Sequence, residues 1–211
     1  MSATSVKICG LSTPATLDAA VDAGASHVGL VWHPASSRHV DLDTAARLRR
    51  RVPAAVKVVL LMVDQTPQET IRAIEAVQPD VVQFHGDEAP KWLALVKEHT
   101  KLEVWKAIGV SQRSSIEHAR TYVGAADRIL FDAPAHALPG GNGLAADWRL
   151  LEGLKFPLPW GLAGGLDPDN VAGAIRQTGA PLVDVSSGVE SAPGVKDVDK
   201  IRAFCKAAHA T

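Results

Sequence analysis

A chain of 211 residues with 46% hydrophobic and 21% charged side chains has enough apolar material to bury a sizeable core, which excludes a disordered segment. Its formal net charge of -1 leaves no footprint for nucleic acid, and no apolar run approaches the roughly 20 residues that a membrane span needs. Two cysteines, Cys9 and Cys205, are too few for a disulfide framework and lack metal-ligand spacing, and the first residues carry no apolar signal core, so a soluble cytoplasmic protein is expected.

Val6-Lys7-Ile8-Cys9-Gly10 is a β-rich run stopped by glycine, and Thr13-Pro14 starts an amphipathic pattern through Val21 that Gly24 closes. The second strand reads His27 to Trp32; a loop with Pro34 and Ser36-Ser37-Arg38-His39 leads to a helix over 43–50, whose end carries Arg47, Arg49, Arg50 and Arg51 as a solvated last turn. Residues 56–62 are almost wholly apolar, as in a strand buried on both faces, and Thr66-Pro67 opens the next helix with Glu69 placed for a capping box. Strands follow at 81–85, 103–109 and 128–132, with helices over about 89–98 and 114–123. The loop 133–143 is the longest breaker-rich stretch, and a short helix around 147–151 leads to Trp160-Gly161-Leu162-Ala163-Gly164-Gly165. Asp167-Pro168-Asp169-Asn170-Val171 then opens a helical pattern, Leu182 to Gly188 forms the eighth strand and its turn, and 198–208 supplies the last helix.

Eight strands alternating with eight helical patterns imply an α/β fold, a closed parallel (β/α)8 TIM barrel, as one domain over 1–211. An open doubly wound sheet would carry its glycine-rich phosphate turn after the first strand, and Cys9-Gly10-Leu11 contains no such motif.

In a TIM barrel the active site lies at the C-terminal ends of the strands, where this chain places Cys9, Trp32 with His33, His85, Asp132, Gly164-Gly165 and Ser186-Ser187-Gly188. The glycine pair and the Ser-Ser-Gly turn, at the ends of the seventh and eighth strands, allow close approach to backbone N–H groups and form an anion seat that fits a phosphate. Strand alternation puts Lys7 with Cys9, Gln83 with His85, and Asp184 with Ser186. Lys7, Lys106, Gln83 and Asp184 must therefore pair inside the barrel, with Lys7 and Asp184 neighbours across the closing seam. Each of these residues has a plainer reading. Cys9 could be packing, Asp132 a helix cap or a partner of Lys106, His85 a hydrogen-bonded wall residue and Arg38 an ordinary loop arginine. Cys205, late in the last helix, reads as packing.

Taken together, Lys7-Ile8-Cys9-Gly10, Ser37-Arg38-His39-Val40, 83–88, Leu130-Phe131-Asp132, 140–143, Leu162-Ala163-Gly164-Gly165-Leu166 and 184–190 resemble the phosphoribosylanthranilate isomerase family of tryptophan biosynthesis. The resemblance runs in order from Val6 to about Glu190. It implies an Amadori rearrangement of an aminoaldose to an aminoketose, with Asp132 as the general acid at the furanose ring oxygen and Cys9 as the general base at C2. It further implies Arg38 at the anthranilate carboxylate, His85 beside the substrate, and Gly164, Gly165, Ser186, Ser187 and Gly188 around the phosphate. No metal or organic cofactor is implied, the partner is a small phosphosugar, and the chain is a monomer or a homodimer.

Such chemistry asks that a carboxylic acid with a reference pKa of about 3.9 stay protonated and that a thiol near 8.5 be lowered, for which Lys7 or the electropositive top of the barrel is the expected source of charge. The loop 133–143 is a plausible cover. Two other functions remain at this point. One is a lyase resembling the alpha subunit of tryptophan synthase, a family that leans on a glutamate and an aspartate in its early strands. The other is a non-catalytic phosphosugar-binding barrel.

Overall fold

Eight apolar runs form the strands β1 (Ser5–Cys9), β2 (His27–Val31), β3 (Lys57–Met62), β4 (Val81–Phe84), β5 (Glu103–Gly109), β6 (Arg128–Asp132), β7 (Trp160–Ala163) and β8 (Leu182–Val185) in the computed structural model of the chain. It describes residues 4–132, 135–137, 144–146 and 148–211. All eight strands pair in parallel, and the sheet closes on itself in the order β1-β8-β7-β6-β5-β4-β3-β2. Strands in such a barrel are covered on both faces, which is why they read as continuous apolar runs with little alternation.

The helices are α1 (Pro14–Asp22), α2 (Leu42–Arg49), α3 (Pro67–Val77), α4 (Pro90–Thr100), α5 (Arg113–Ala119), α6 (Val171–Thr178) and α7 (Val198–His209). Helix α3 starts with the expected capping box, in which Thr66 accepts from the Glu69 backbone and Glu69 reaches back to Thr66. Two of the eight expected helices come out shorter. The helix expected over 114–123 ends at Ala119 and tightens into a 3-10 turn, Arg120–Tyr122. The one around 147–151 is a 3-10 turn, Trp148–Leu151, with Gly153 following in the left-handed region at φ +64. Helix α6 begins at Val171, because the Asp167 carboxylate first accepts from the Asp169 and Asn170 amides and holds a turn ahead of it.

Inside the ring, Val59, Val81, Trp105, Ala107, Leu130 and Leu182 form one apolar cluster. Trp105 is fully buried and plugs the N-terminal end, its indole N–H donating to Glu103 Oε1 at 2.7 Å while the Arg128 guanidinium lies 5.1 Å from its ring centroid. Because Trp105 and Ala107 face inward, Lys106 faces the helix layer. There it donates to the Gly86 carbonyl at 2.6 Å and lies 3.3 Å from Glu88, so the expectation that it pairs inside the barrel is corrected. Lys7 and Asp184 meet inside the barrel as expected, opposite one another in register at 2.7 Å.

His27 joins the plug, with its ring 5.1 Å from Trp105 and Nδ1 2.8 Å from Ser26 Oγ. Burial, reinforced by Arg128 and Lys7, brings its imidazole down to about 4. An unfolded chain takes up that proton near 6.5, so the stability tied to neutral His27 is complete above that pH and is lost as pH falls toward 4. The thermal midpoint should therefore drop between pH 7 and pH 4, and drop less in His27→Asn; equal drops in the two proteins would refute this.

Candidate active site

A cavity of about 380 Å³ opens at the C-terminal ends of the strands. Its lining includes Cys9 from β1, Arg38 from the loop after β2, His85 after β4, Asp132 from β6, Gly164-Gly165 after β7 and Ser186-Ser187 after β8. Of the nine site residues expected from sequence, only Gly188 is not part of this lining. Around the ring, β8 and β7 separate β1 from β6, so the thiol and the carboxyl face each other with the two glycine- and serine-bearing loops between them.

Cys9 is buried at the inner end of the cavity. Its closest constraint is one the sequence reading missed: a Cβ placed on Gly29 would lie 2.9 Å from Cys9 Sγ, so only glycine leaves room for the thiol. A glycine in mid-strand is the signal that could have revealed it. Two residues below Cys9, Lys7 is fully buried; burial works against its charge, yet Asp184 and Cys9 together hold its pKa above the ordinary value. For Cys9 the balance goes the other way from what a base needs. Burial pushes the thiol up, outweighing the downward pull of Lys7, and the Asp184 charge adds to the rise. Burial, which a sequence does not display, is the reason that the expected lowering is not found.

Asp132 is about one third exposed, and its Oδ2 lies 3.4 Å from His85 Nε2. Two residues of the same lining carry buried acceptors: Gln83 Oε1 and Asp184 Oδ1 have no hydrogen-bond partner among the described residues. Gln83 was expected to pair inside the barrel, and for this oxygen it does not.

At the phosphate-type loops Gly164 and Gly165 have φ of +83 and +64, the left-handed region that a side chain disfavours. Gly188 sits in a 3-10 turn, Ser187–Val189, where a Cβ would run into the Leu166 carbonyl; it packs the two loops together. The Ser186 hydroxyl is already engaged, donating to the Cys9 carbonyl at 3.2 Å and accepting from Lys196 at 3.1 Å.

Arg38 is held by Glu190, which takes Nε at 2.6 Å and Nη2 at 2.8 Å on its two oxygens. Burial opposes ionisation of Glu190, but Arg38 and Lys196 bring its carboxyl down to about 2. Lys196 is a second residue not singled out from sequence, since it lies beyond the eighth strand's turn in a short ribbon, Glu190–Ala192 with Val195–Lys196.

The 133–143 cover falls largely outside the described residues; within it Ala135–Ala137 pairs antiparallel with Leu144–Ala146. Cys205 is buried among apolar side chains, with its thiol pushed up to about 11 by burial, in line with packing. Among the described residues no group of three or more His, Cys, Asp or Glu is placed to hold a metal ion, and no helix is long and apolar enough to cross a membrane.

The Gly29 contact is testable by stability. Gly29→Ala should cost about 1–3 kcal/mol in urea unfolding, the usual penalty of overpacking. Gly109→Ala, where nothing described lies within 4 Å of the new methyl, should be close to neutral, and equal effects at the two positions would contradict the packing account.

Residues 6–207 match the family model PRAI, N-(5'phosphoribosyl)anthranilate (PRA) isomerase. The N-(5'-phosphoribosyl)anthranilate isomerase of Erythrobacter litoralis is 61% identical over 205 residues, 97% of this chain and 98% of that one. The protein of the same name from Rhodopseudomonas palustris is 52% identical over 98% of this chain and 96% of its own. Among solved structures, phosphoribosyl anthranilate isomerase from Thermotoga maritima superposes with a TM-score of 0.87 at 34% identity, covering 99% of this chain and 100% of that one. A phosphoribosyl anthranilate isomerase in complex with reduced 1-(o-carboxyphenylamino)-1-deoxyribulose 5-phosphate gives 0.83 at 33% identity, again over 99% and 100%.

Proposed function

The chain belongs to the N-(5'-phosphoribosyl)anthranilate isomerase family, and from that premise we propose how its own residues carry the reaction. The enzyme is an isomerase of tryptophan biosynthesis that converts N-(5-phosphoribosyl)anthranilate to 1-(2-carboxyphenylamino)-1-deoxyribulose 5-phosphate by an Amadori rearrangement.

Asp132 gives its proton to the furanose ring oxygen; the C1–O bond breaks as the anilino nitrogen pushes in its lone pair, leaving an open-chain iminium and a carboxylate. Cys9, once its thiol proton has passed to solvent, takes the C2 proton as thiolate, and the C–H electron pair forms the C1=C2 bond while the iminium π pair returns to nitrogen. The enolamine tautomerises, gaining a proton at C1 and losing one from the C2 hydroxyl, to give the ketone. The positive iminium, formed beside a thiol that burial has made a reluctant acid, works in the same direction as Lys7 and draws it toward thiolate. His85 orients the Asp132 carboxyl. Gln83 and Asp184, which line the cavity and each carry an acceptor oxygen without a partner among the described residues, receive sugar hydroxyls. The phosphate rests on the backbone of Gly164-Gly165 and Ser186-Ser187-Gly188, and Arg38 faces the anthranilate carboxylate.

The observation that carries this reading is that Cys9 and Asp132, from strands facing one another across the ring, line one cavity with the anion-type loops between them. The steps call for no metal or organic cofactor. Every named residue lies on a single chain, so a monomer and a homodimer serve equally; a dimeric relative from Thermotoga maritima and monomers generated from it are both known. The free cysteines Cys9 and Cys205 support a cytoplasmic enzyme, and the net charge of -1 one without a nucleic-acid partner.

Loss of substrate fluorescence measures turnover. Cys9→Ala and Asp132→Asn should each lower kcat by roughly 10²–10⁴-fold, the usual worth of a general acid or base, while competitive inhibition by inorganic phosphate stays as in the wild type. Full activity in either variant would remove that residue from the mechanism. A wild-type protein that binds phosphate without turnover would be a non-catalytic barrel.

A further inference from the structure

Beyond the residues expected to touch substrate, a three-charge cluster ties the two anion-binding ends of the cavity together. Lys196 Nζ donates to Glu190 Oε1 at 2.7 Å, to the Ser186 carbonyl at 2.8 Å and to Ser186 Oγ at 3.1 Å. Glu190 in turn holds Arg38 along the Nε and Nη2 edge of its guanidinium. A guanidinium has a second edge, made by Nη1 and the other Nη2 hydrogen, and it is this edge that remains for a planar carboxylate. Glu190 therefore aims Arg38.

Charge decides what Lys196 adds. Arg38 and Glu190 alone would cancel, and a neutral pair attracts an anion weakly; with Lys196 the cluster keeps one positive charge beside the cavity. Lys196 and Glu190 are nearly inaccessible, at 1% and 5% exposure, whereas Arg38 keeps 26%, so the net charge is presented through the arginine. Burying three charges is an expensive way to hold a loop, because apolar side chains of similar volume would hold it at least as firmly.

The backbone around the cluster is built to keep it in place. Glu190 and Lys196 stand opposite each other in their antiparallel ribbon, and Lys200 donates to the Glu190 carbonyl at 2.8 Å. Gly194 at the ribbon's turn abuts the Ser37 carbonyl so closely that a Cβ there would collide with it, which docks the ribbon on the very loop that carries Arg38. The same ammonium reaches the phosphate-type loop through Ser186, whose hydroxyl reaches the Cys9 carbonyl.

We infer that Lys196 is a positioning residue for substrate: through Glu190 it keeps the carboxylate-facing edge of Arg38 free and positively charged, and through Ser186 it fixes the phosphate loop on the strand that carries the base. This rests on the isomerase reading above. Lys196 touches no reacting atom, so its loss should appear in binding at both ends of the substrate.

Steady-state kinetics with phosphoribosylanthranilate, and inhibition by inorganic phosphate and separately by anthranilate, test it in the full chain. Lys196→Met should raise KM by about tenfold or more and weaken both inhibitors, the scale expected when a charge-assisted contact is lost, while kcat stays within about threefold. Lys196→Arg, which keeps the charge and the donors, should recover most of the KM. If Lys196→Met does not fold, Lys196→Gln, which keeps a donor to Ser186 but no charge, is read in its place with the same expectation. A folded Met or Gln variant with KM and both inhibition constants unchanged would overturn the inference, as would an arginine variant no better than the methionine one. Absence of turnover in the wild type would instead count against the isomerase reading, and the phosphate inhibition arm would still report on Lys196.

Discussion

The contact between Lys7 and Asp184 governs the upper half of this barrel. It joins the first strand to the last, at 2.7 Å, with Lys7 fully buried and Asp184 buried in the cavity wall. Removing either partner would strand a buried charge at a cost of about 3–5 kcal/mol, so the pair strongly favours the register in which both residues point inward. A slip of one residue at the seam would turn one of the two toward the helices and leave the other unpaired inside the ring. Cys9 follows Lys7 by two positions and Ser186 follows Asp184 by two, so the same register brings the thiol's strand against the phosphate-type loop, where Ser186 Oγ meets the Cys9 carbonyl. One ion pair thus sets both the closure of the ring and the spacing of its chemistry.

Below that pair the barrel is closed by bulk. Trp105, Arg128, His27 and Glu103 occupy the N-terminal end, and a Cβ on Gly161 would lie 2.6 Å from Leu182 Cδ2 and 2.8 Å from Leu130 Cδ2, which shows how little space is left around the inner cluster. A floor packed to that degree does not give when a ligand presses from above. The cavity is therefore blind, open only toward the loops, and the side chains on its walls belong to a rigid ring. The residues that must meet two ends of a long anion come from loops, but the ribbon and the Arg38 loop are docked on each other and tied back to the ring.

Much of this was readable in the chain. Strand positions followed from apolar runs between breakers, and the Lys7–Asp184 contact followed from alternation plus the requirement that a barrel close. Gly164-Gly165 announced a backbone conformation that other residues avoid, and Thr66 with Glu69 announced a helix start. What escaped has physical causes. Lys106 was placed inside because a strand covered on both faces shows no alternation to tell its two sides apart; Trp105 takes the inner position and sends the lysine outward. Glu190 and Arg38 are 152 residues apart and meet only because β8 returns beside β1, two strand positions from β2. Lys196 stands in a ribbon too short to leave a pattern. The state of the Cys9 thiol depends on how deeply it is buried, which three-dimensional packing alone determines.

Where the chain leaves local rules unsatisfied is itself informative. Gln83 Oε1 and Asp184 Oδ1 are acceptors withheld from water without a donor among the described residues, and each such atom costs about 1–3 kcal/mol. A fold under selection for stability alone would have supplied donors or apolar side chains. Both belong to residues that line the cavity, close to a thiol whose pKa burial raises and a lysine that pulls it the other way. Of the seven buried side-chain atoms without a partner among the described residues, these two belong to cavity-lining residues and adjoin the opposed electrostatics at Cys9, which is what a wall shaped for a polyhydroxylated anion leaves for its substrate to complete.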